Sequence, residues 1–367
     1  MTINSRLHLK KDNAVLFRLL IVLLITLSTS HLWAKPFLLV SLPDEKHIAV
    51  FEINSRTGQL THVRNHKTES DPGPMSVSQD GEVLFLSLRN AGGLASFAID
   101  HQTGELKHLS TINVDQDPAY HWQDYSGNWL ITAYYHTGRV SVHAVDGQGR
   151  LNSKASFFGE TALNAHGVAA TRDNRFVYIP HTGPNLIVQF GFNDQTGQLT
   201  TLENGSLISA EKTGPRHLAT HPTKPWLYGD YEQGNKAVFY EIRPDGLLNT
   251  KQVISSVPDD WPNGKGATAR MTLSEDGRFV YVANRGHNSI ATFRITPRTG
   301  ELSTVGIYAT EPNPRSFAIS PSGKWLYAGG QDSGKIAVFK RNRRTGVLTR
   351  IDTIDTGQRP WWLQIIE

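Results

Sequence analysis

The chain has 367 residues, 38% of them hydrophobic and 19% charged, with 32 Gly, 18 Pro and no Cys. That composition excludes a disordered or collagen-like protein, and the missing Cys excludes disulfide frameworks, Cys-ligated zinc or iron–sulfur centres and thiol nucleophiles. The formal charge of +4 superficially suggests a nucleic-acid partner, but four of the 37 basic residues and one of the 33 acidic ones precede Lys35, which leaves 33 against 32, a net charge of +1. No nucleic-acid partner is needed to explain the balance.

The first 34 residues carry Arg6, Lys10, Lys11 and Arg18, then an uncharged apolar run over Leu19–Leu27, then Ser28-Thr29-Ser30 and a small residue at Ala34. This is the layout of a signal peptide, with a run too short to span a bilayer comfortably. The expectation is a cleaved leader over 1–34 and a periplasmic or secreted product without stable membrane insertion. A signal anchor is the less favoured alternative. Leu32 is larger than the residue preferred two places before a cleavage site, so that site is not fixed.

From Phe37 onward one unit recurs: an apolar strand, a Ser-x-Asp-Gly type of turn, a strand ending in Tyr or Phe, a polar loop, a third strand, and Thr-Gly-x-Leu or a variant. The glycines of the last turn are Gly58, Gly104, Gly149, Gly197, Gly246, Gly300 and Gly346, at intervals of 46, 45, 48, 49, 54 and 46 residues. Such spacing suits four-stranded propeller blades better than helical solenoids. The sixth unit reads as strands over Ala269–Leu273, Arg278–Val282, Ser289–Phe293 and Leu302–Ile307, rich in β-branched and aromatic residues and bounded by turn formers. The pattern predicts an all-β, seven-bladed β-propeller over residues 35–367. Its first unit lacks an inner strand, and Trp361–Ile366 lacks partners, so the C-terminal strand is expected to complete the first blade.

Aligning the units puts Pro43, Arg89, Tyr135, Thr182, Glu232, Arg285 and Gln331 in register after the second strands. Met75, Ala119, His166, Arg216, Arg315 and Trp361, with Arg270 nearby, fall at the start of the first strands. In an antiparallel hairpin both positions lie at the same end, so the two sets ring one mouth of the central channel. Arginines, one carboxylate and one histidine converging there can hold an anion and move a proton. Each residue taken singly also has a structural reading, since Arg and Glu can pair simply to neutralise one another.

Thr213-Gly-Pro-Arg-His217, Tyr231-Glu232 and Phe279-Val-Tyr-Val-Ala-Asn-Arg-Gly-His-Asn-Ser-Ile290 resemble the β-propeller lactonases, a family that includes propeller-type 6-phosphogluconolactonases and the fungal carboxy-cis,cis-muconate cyclase. The resemblance spans essentially the whole chain after the leader. It implies a lactone hydrolase with a small-molecule lactone substrate, no metal or organic cofactor, and catalytic residues His166, Arg216, Glu232 and Arg285. Arg89, Tyr135, His217, Arg315 and Gln331 are the expected substrate-binding residues. One departure is Pro180-His-Thr-Gly-Pro-Asn185, where the family usually has Asp-Leu-Gly-x-Asp. Residue types leave both His166 and Glu232 open as the base, with Arg216 and Arg285 stabilising the oxyanion. The alternatives are a non-catalytic propeller that binds a ligand or protein on the same face, and a cyclase-like enzyme that closes the ring.

Other signals are weaker. Gly329–Lys335 has P-loop spacing, but Ile336 follows where Ser or Thr is required, and no helix is in view. The 13 histidines beyond the leader are scattered, and acidic residues are too few in the aligned ring to favour calcium. Trp261, Trp361 and Trp362 fit blade packing at least as well as a pocket wall.

Overall fold

The computed structural model describes Met1, residues 35–262 and residues 264–367. The expected leader, apart from Met1, lies outside the described residues. Among those described are seven four-stranded antiparallel sheets, each formed by strands consecutive in the chain except the first. There the C-terminal strand Trp362–Ile366 lies against Phe37–Leu42, pairing Leu38 with Ile365 and Val40 with Leu363. Closure by the two chain ends leaves no open edge between first and last blades.

Why the repeat makes blades is visible in the burial pattern. The second strands are buried on both faces, as in Val83–Leu88 and Trp325–Gly330, because each sheet is covered by a neighbour on either side. The outer strands, such as Leu248–Ser255, are mostly exposed beyond their first residue. The core is accordingly divided into seven apolar clusters, one between each pair of adjacent blades.

The repeated turn glycine has a steric cause. Gly58 has φ of +78° and Gly246 φ of +86°, and a Cβ at either would stand 2.6 Å from Trp325 or 2.2 Å from Phe176 in the preceding blade. Only glycine tolerates both the left-handed backbone and the close approach. The tyrosines of the second strands use the same turns: Tyr178, Tyr228 and Tyr327 donate their hydroxyl hydrogens to the carbonyls of Gly246, Gly300 and Gly58. The third of these bonds ties the seventh blade to the first and helps close the ring.

One irregularity positions the channel residues. In five blades the register between first and second strands slips at the channel end: after Pro72, Pro118, Pro215, Thr268 and Pro314. In the fourth blade the first strand is only Ala169–Ala170, and Ala165 makes an isolated bridge to His181. Such bulges re-aim side chains, so consecutive residues including Arg216 and His217 reach the channel region instead of alternating away from it.

Candidate active site

Glu232 directly follows the fifth blade's second strand, Trp226–Tyr231, Arg285 ends the sixth blade's second strand, and Arg216 is the second residue of the fifth blade's first strand, Pro215–Thr220. Arg285 Nη2 donates to Glu232 Oε1 and, at 2.8 Å, to the Thr268 carbonyl oxygen. Arg216 Nε stands 3.6 Å from the same Glu232 oxygen. One carboxylate therefore faces two guanidinium groups. Arg216 Nε and Nη1 and Arg285 Nε are buried without a hydrogen-bond partner among the described residues. Burial, partly opposed by Glu232, holds the Arg216 pKa down to about 10. At neutral pH it still carries its charge.

Beneath this cluster Asp230 is fully buried. Its Oδ1 accepts the His217 backbone N–H at 2.8 Å and its Oδ2 accepts the Thr268 hydroxyl. Burial pushes its pKa up to about 7, with Arg216 pulling the other way. Thr268 also donates its backbone N–H to the Glu232 carbonyl oxygen at 3.0 Å. Asp230 and Thr268 thus tie the fifth and sixth blades together directly under Arg216, Glu232 and Arg285.

His166 is buried, its backbone N–H bonded to the Pro180 carbonyl oxygen at 2.9 Å and its Nδ1 without a partner among the described residues. Its ring lies 5.1 Å from that of His217 and 5.7 Å from that of Tyr135. Burial first, and then Arg216, His217, Arg315 and Arg89, lower its pKa well below the ordinary histidine value, so the imidazole is neutral at pH 7. His217 is lowered likewise, by burial and then by Arg216, Arg270, Arg315 and Arg285.

The other expected residues divide. Arg315 stacks on the Trp361 ring at 4.0 Å and makes no hydrogen bond or ion pair with another described residue. Arg89 is held by both oxygens of Asp117, at 2.5 and 2.6 Å, and Asp117 also takes His136 Nδ1 at 2.9 Å. These groups border a cavity of about 220 Å³ with Pro43, Arg359 and Trp361. Tyr135 stands beside His166, and its hydroxyl accepts a long 3.4 Å bond from Thr182, in the segment that departs from the family pattern. Gln331 does not join the cluster; it lines a separate depression with Asp44, Glu45 and Arg359.

A layer lies one residue deeper, of which the sequence had singled out His217, Arg270 and Trp362 but not Tyr120. Tyr120, His217 and Trp362 meet ring to ring, at 5.3 Å for Tyr120 with His217, 5.6 Å for Tyr120 with Trp362 and 6.0 Å for His217 with Trp362. Arg270 stacks on Trp362 at 4.0 Å. Tyr120, His217 and Trp362 each follow a ring position in the sequence. The prolines before several first strands, at Pro118, Pro215 and Pro314, were the available signal that the strict two-residue alternation breaks there. Asp117 and Asp230 were also missed, and among the described residues no group of three His, Asp or Glu side chains is placed to hold a metal.

The model of the family "Lactonase, 7-bladed beta-propeller" matches residues 35–365. The chain belongs to this family. Among its relatives is the 6-phosphogluconolactonase of Bacillus subtilis, 38% identical over 161 residues, a match covering 43% of this chain and 44% of that protein. The chain therefore aligns with less than half the length of that curated relative. A crystal structure of a candidate 6-phosphogluconolactonase from Bacteroides fragilis superposes with a TM-score of 0.82 at 26% identity, over 93% of this chain and 99% of the other. The periplasmic gluconolactonase of Pseudomonas aeruginosa superposes with a TM-score of 0.85 at 24% identity, over 91% and 99%, a likeness of fold. No helix among the described residues is long and apolar enough to cross a membrane.

Proposed function

We propose that this lactonase-family chain hydrolyses a sugar lactone or related lactone at the channel mouth. The observation that carries the proposal is the pair of arginines facing one carboxylate, with buried N–H groups of Arg216 and Arg285 still without partners. Guanidinium donors that are already oriented and desolvated stabilise charge that develops on a carbonyl oxygen during attack. Glu232 orients both guanidinium groups. His166, neutral at pH 7, takes a proton from water as the water oxygen bonds to the lactone carbonyl carbon. The acyl C–O bond of the ring then breaks, and the imidazolium returns the proton to the departing alkoxide, leaving a hydroxy acid. Arg315 and Trp361 offer a charged, flat flank for the rest of the substrate.

No cofactor enters this scheme, and activity is expected to survive dialysis against a chelator. Residues 1–34 are read as a cleaved leader and 35–367 as the mature propeller, exported to the periplasm. Phosphorylated sugar lactones belong to cytoplasmic metabolism, so an unphosphorylated lactone fits an exported enzyme better.

A pH-stat assay of the mature protein against gluconolactone, its 6-phosphate and an aromatic-acid lactone tests the reading. Acid release is expected for the wild type and its loss in Glu232→Gln and Arg285→Ala, with β-sheet circular dichroism intact. Activity retained in both variants would sink this site. A propeller that only binds would give no acid with any lactone. Cell fractionation tests export, since an intact leader on a cytoplasmic product excludes it.

A further inference from the structure

The hydrolytic scheme uses Trp361 but not the cavity of about 220 Å³ beside it, on the second-blade side of the mouth. This cavity begins one aromatic ring away from the base. The Tyr135 ring is 5.7 Å from that of His166 and 5.6 Å from that of His136, and His136 lines the cavity. A pocket for a drug-sized molecule holds about 300–1,000 Å³, so this one takes a fragment of a substrate rather than the whole of it.

The cationic side chains of its wall are already paired. Arg89 is bound by Asp117, and Arg359 by Asp44. Asp117 Oδ2 also takes His136 Nδ1 at 2.9 Å. An ionised carboxylate only accepts, so Nδ1 carries the hydrogen, and in the neutral imidazole Nε2 is then an acceptor. That Nε2 has no partner among the described residues, and the His136 side chain is 74% exposed. Asp71 is the charge left over: it accepts the Ser70 hydroxyl at 2.8 Å, and no cation lies within ion-pair distance among the described residues. Asn90, exposed on the same wall, adds an amide that both donates and accepts. Arg315, which has no ion pair among the described residues, lies on the Trp361 indole at 4.0 Å and does not line the cavity.

The groups left open on the wall are therefore His136 Nε2, the Asp71 carboxylate and the Asn90 amide. A hydroxyl both donates and accepts, and it satisfies each of them. A phosphate monoester is close to dianionic at neutral pH and offers acceptor oxygens. It gives nothing to His136 Nε2 and brings like charge against Asp71.

We propose that this cavity is the subsite for the hydroxylated tail of an unphosphorylated sugar lactone, one tail hydroxyl donating to His136 Nε2 and another to Asp71. The proposal rests on the hydrolytic reading and adds to it the groups that choose among lactones.

Steady-state kinetics of the mature protein with gluconolactone, its 6-phosphate and δ-valerolactone, a six-membered lactone without hydroxyls, test it. The wild type is expected to show a higher kcat/KM for gluconolactone than for the 6-phosphate. His136→Ala should lower kcat/KM for gluconolactone about three- to tenfold through KM, the worth of one hydrogen bond, and leave δ-valerolactone unchanged. Asp71→Asn should raise kcat/KM for the 6-phosphate relative to gluconolactone. Neither side chain is buried, so both variants should keep the wild-type melting temperature. A wild type that prefers the 6-phosphate, or an equal loss on δ-valerolactone in His136→Ala, overturns the proposal. If no lactone releases acid, the hydrolytic reading fails, and calorimetric titration with gluconate then decides the subsite by itself. Weaker binding in His136→Ala than in the wild type supports it, whereas equal affinity or no binding overturns it.

Discussion

Two sides of the same mouth use arginine in opposite ways. On the side of the second blade, Arg89 is clamped by both oxygens of Asp117, and Asp117 is shared with His136. On the side of the fifth and sixth blades, Arg216 and Arg285 share the single carboxylate of Glu232 and keep buried donors without partners. A guanidinium whose directions are already taken shapes a wall. One with N–H groups left over in a dry place can answer a charge that appears only when substrate reacts. Position in the repeat is common to Arg89 and Arg285, so the difference comes from what the neighbouring blades supply.

Breaking the reactive side should have the largest effect. His166→Asn is expected to lower kcat on the order of 10²–10⁴-fold, the usual worth of a positioned base. Because burial and the surrounding arginines hold the His166 pKa well below 6.5, wild-type kcat should stay level as pH falls from neutral through 6.5. A limb that already declines at or above that value would exclude His166 as the base. Next comes Arg216→Met, expected to reduce kcat on the order of 10²–10³-fold, as for loss of an oxyanion donor. An effect confined to KM would instead assign Arg216 to ground-state binding.

The shaping side should respond differently. Asp117→Asn removes the charge that neutralises Arg89 and is expected to cost stability of about 1–3 kcal/mol, the penalty for leaving a largely buried partner unsatisfied. kcat/KM should change by less than about tenfold, since no reacting group is lost. A larger fall in kcat, measured on protein with an unchanged melting temperature, would erase the distinction between the two sides.

Asp230 gives the smallest effect, read as a slope against pH. Its folded pKa of about 7 exceeds the ordinary 3.8, so the folded protein holds this proton more tightly than the unfolded chain does. The corresponding stability is fully present below the unfolded value and is lost as pH rises through about 7. Thermal melts across this window should show that decline in the wild type and a flatter dependence in Asp230→Asn. Parallel curves would mean that Asp230 stays ionised in the fold.

The repeat made most of the architecture legible. The seven turn glycines marked the blade count because each adopts a left-handed backbone tight against the preceding blade, a place that glycine alone fills without strain. The missing inner strand of the first unit and the unpartnered Trp361–Ile366 segment foretold ring closure. Register also brought His166, Arg216, Glu232 and Arg285 to one mouth. It did not separate Gln331, which occupies an equivalent place but lines another depression, and it passed over Tyr120, because alternation along a regular strand sends neighbouring residues to opposite faces and only a bulge overrides it.

What the sequence determined by itself was therefore everything set by local, periodic demands: strands, turns, blade number, closure and the set of residues available at each end of the channel. Only the tertiary structure decided which arginines are neutralised, that Asp230 and Thr268 brace the cluster of Arg216, Glu232 and Arg285, and that an aromatic layer of Tyr120, His217 and Trp362 lies below it. Those outcomes depend on pairs as far apart as Asp230 and Thr268 or Tyr120 and Trp362. Electrostatic and packing terms between such residues vary steeply with distance and burial, and no spacing along the chain encodes either quantity.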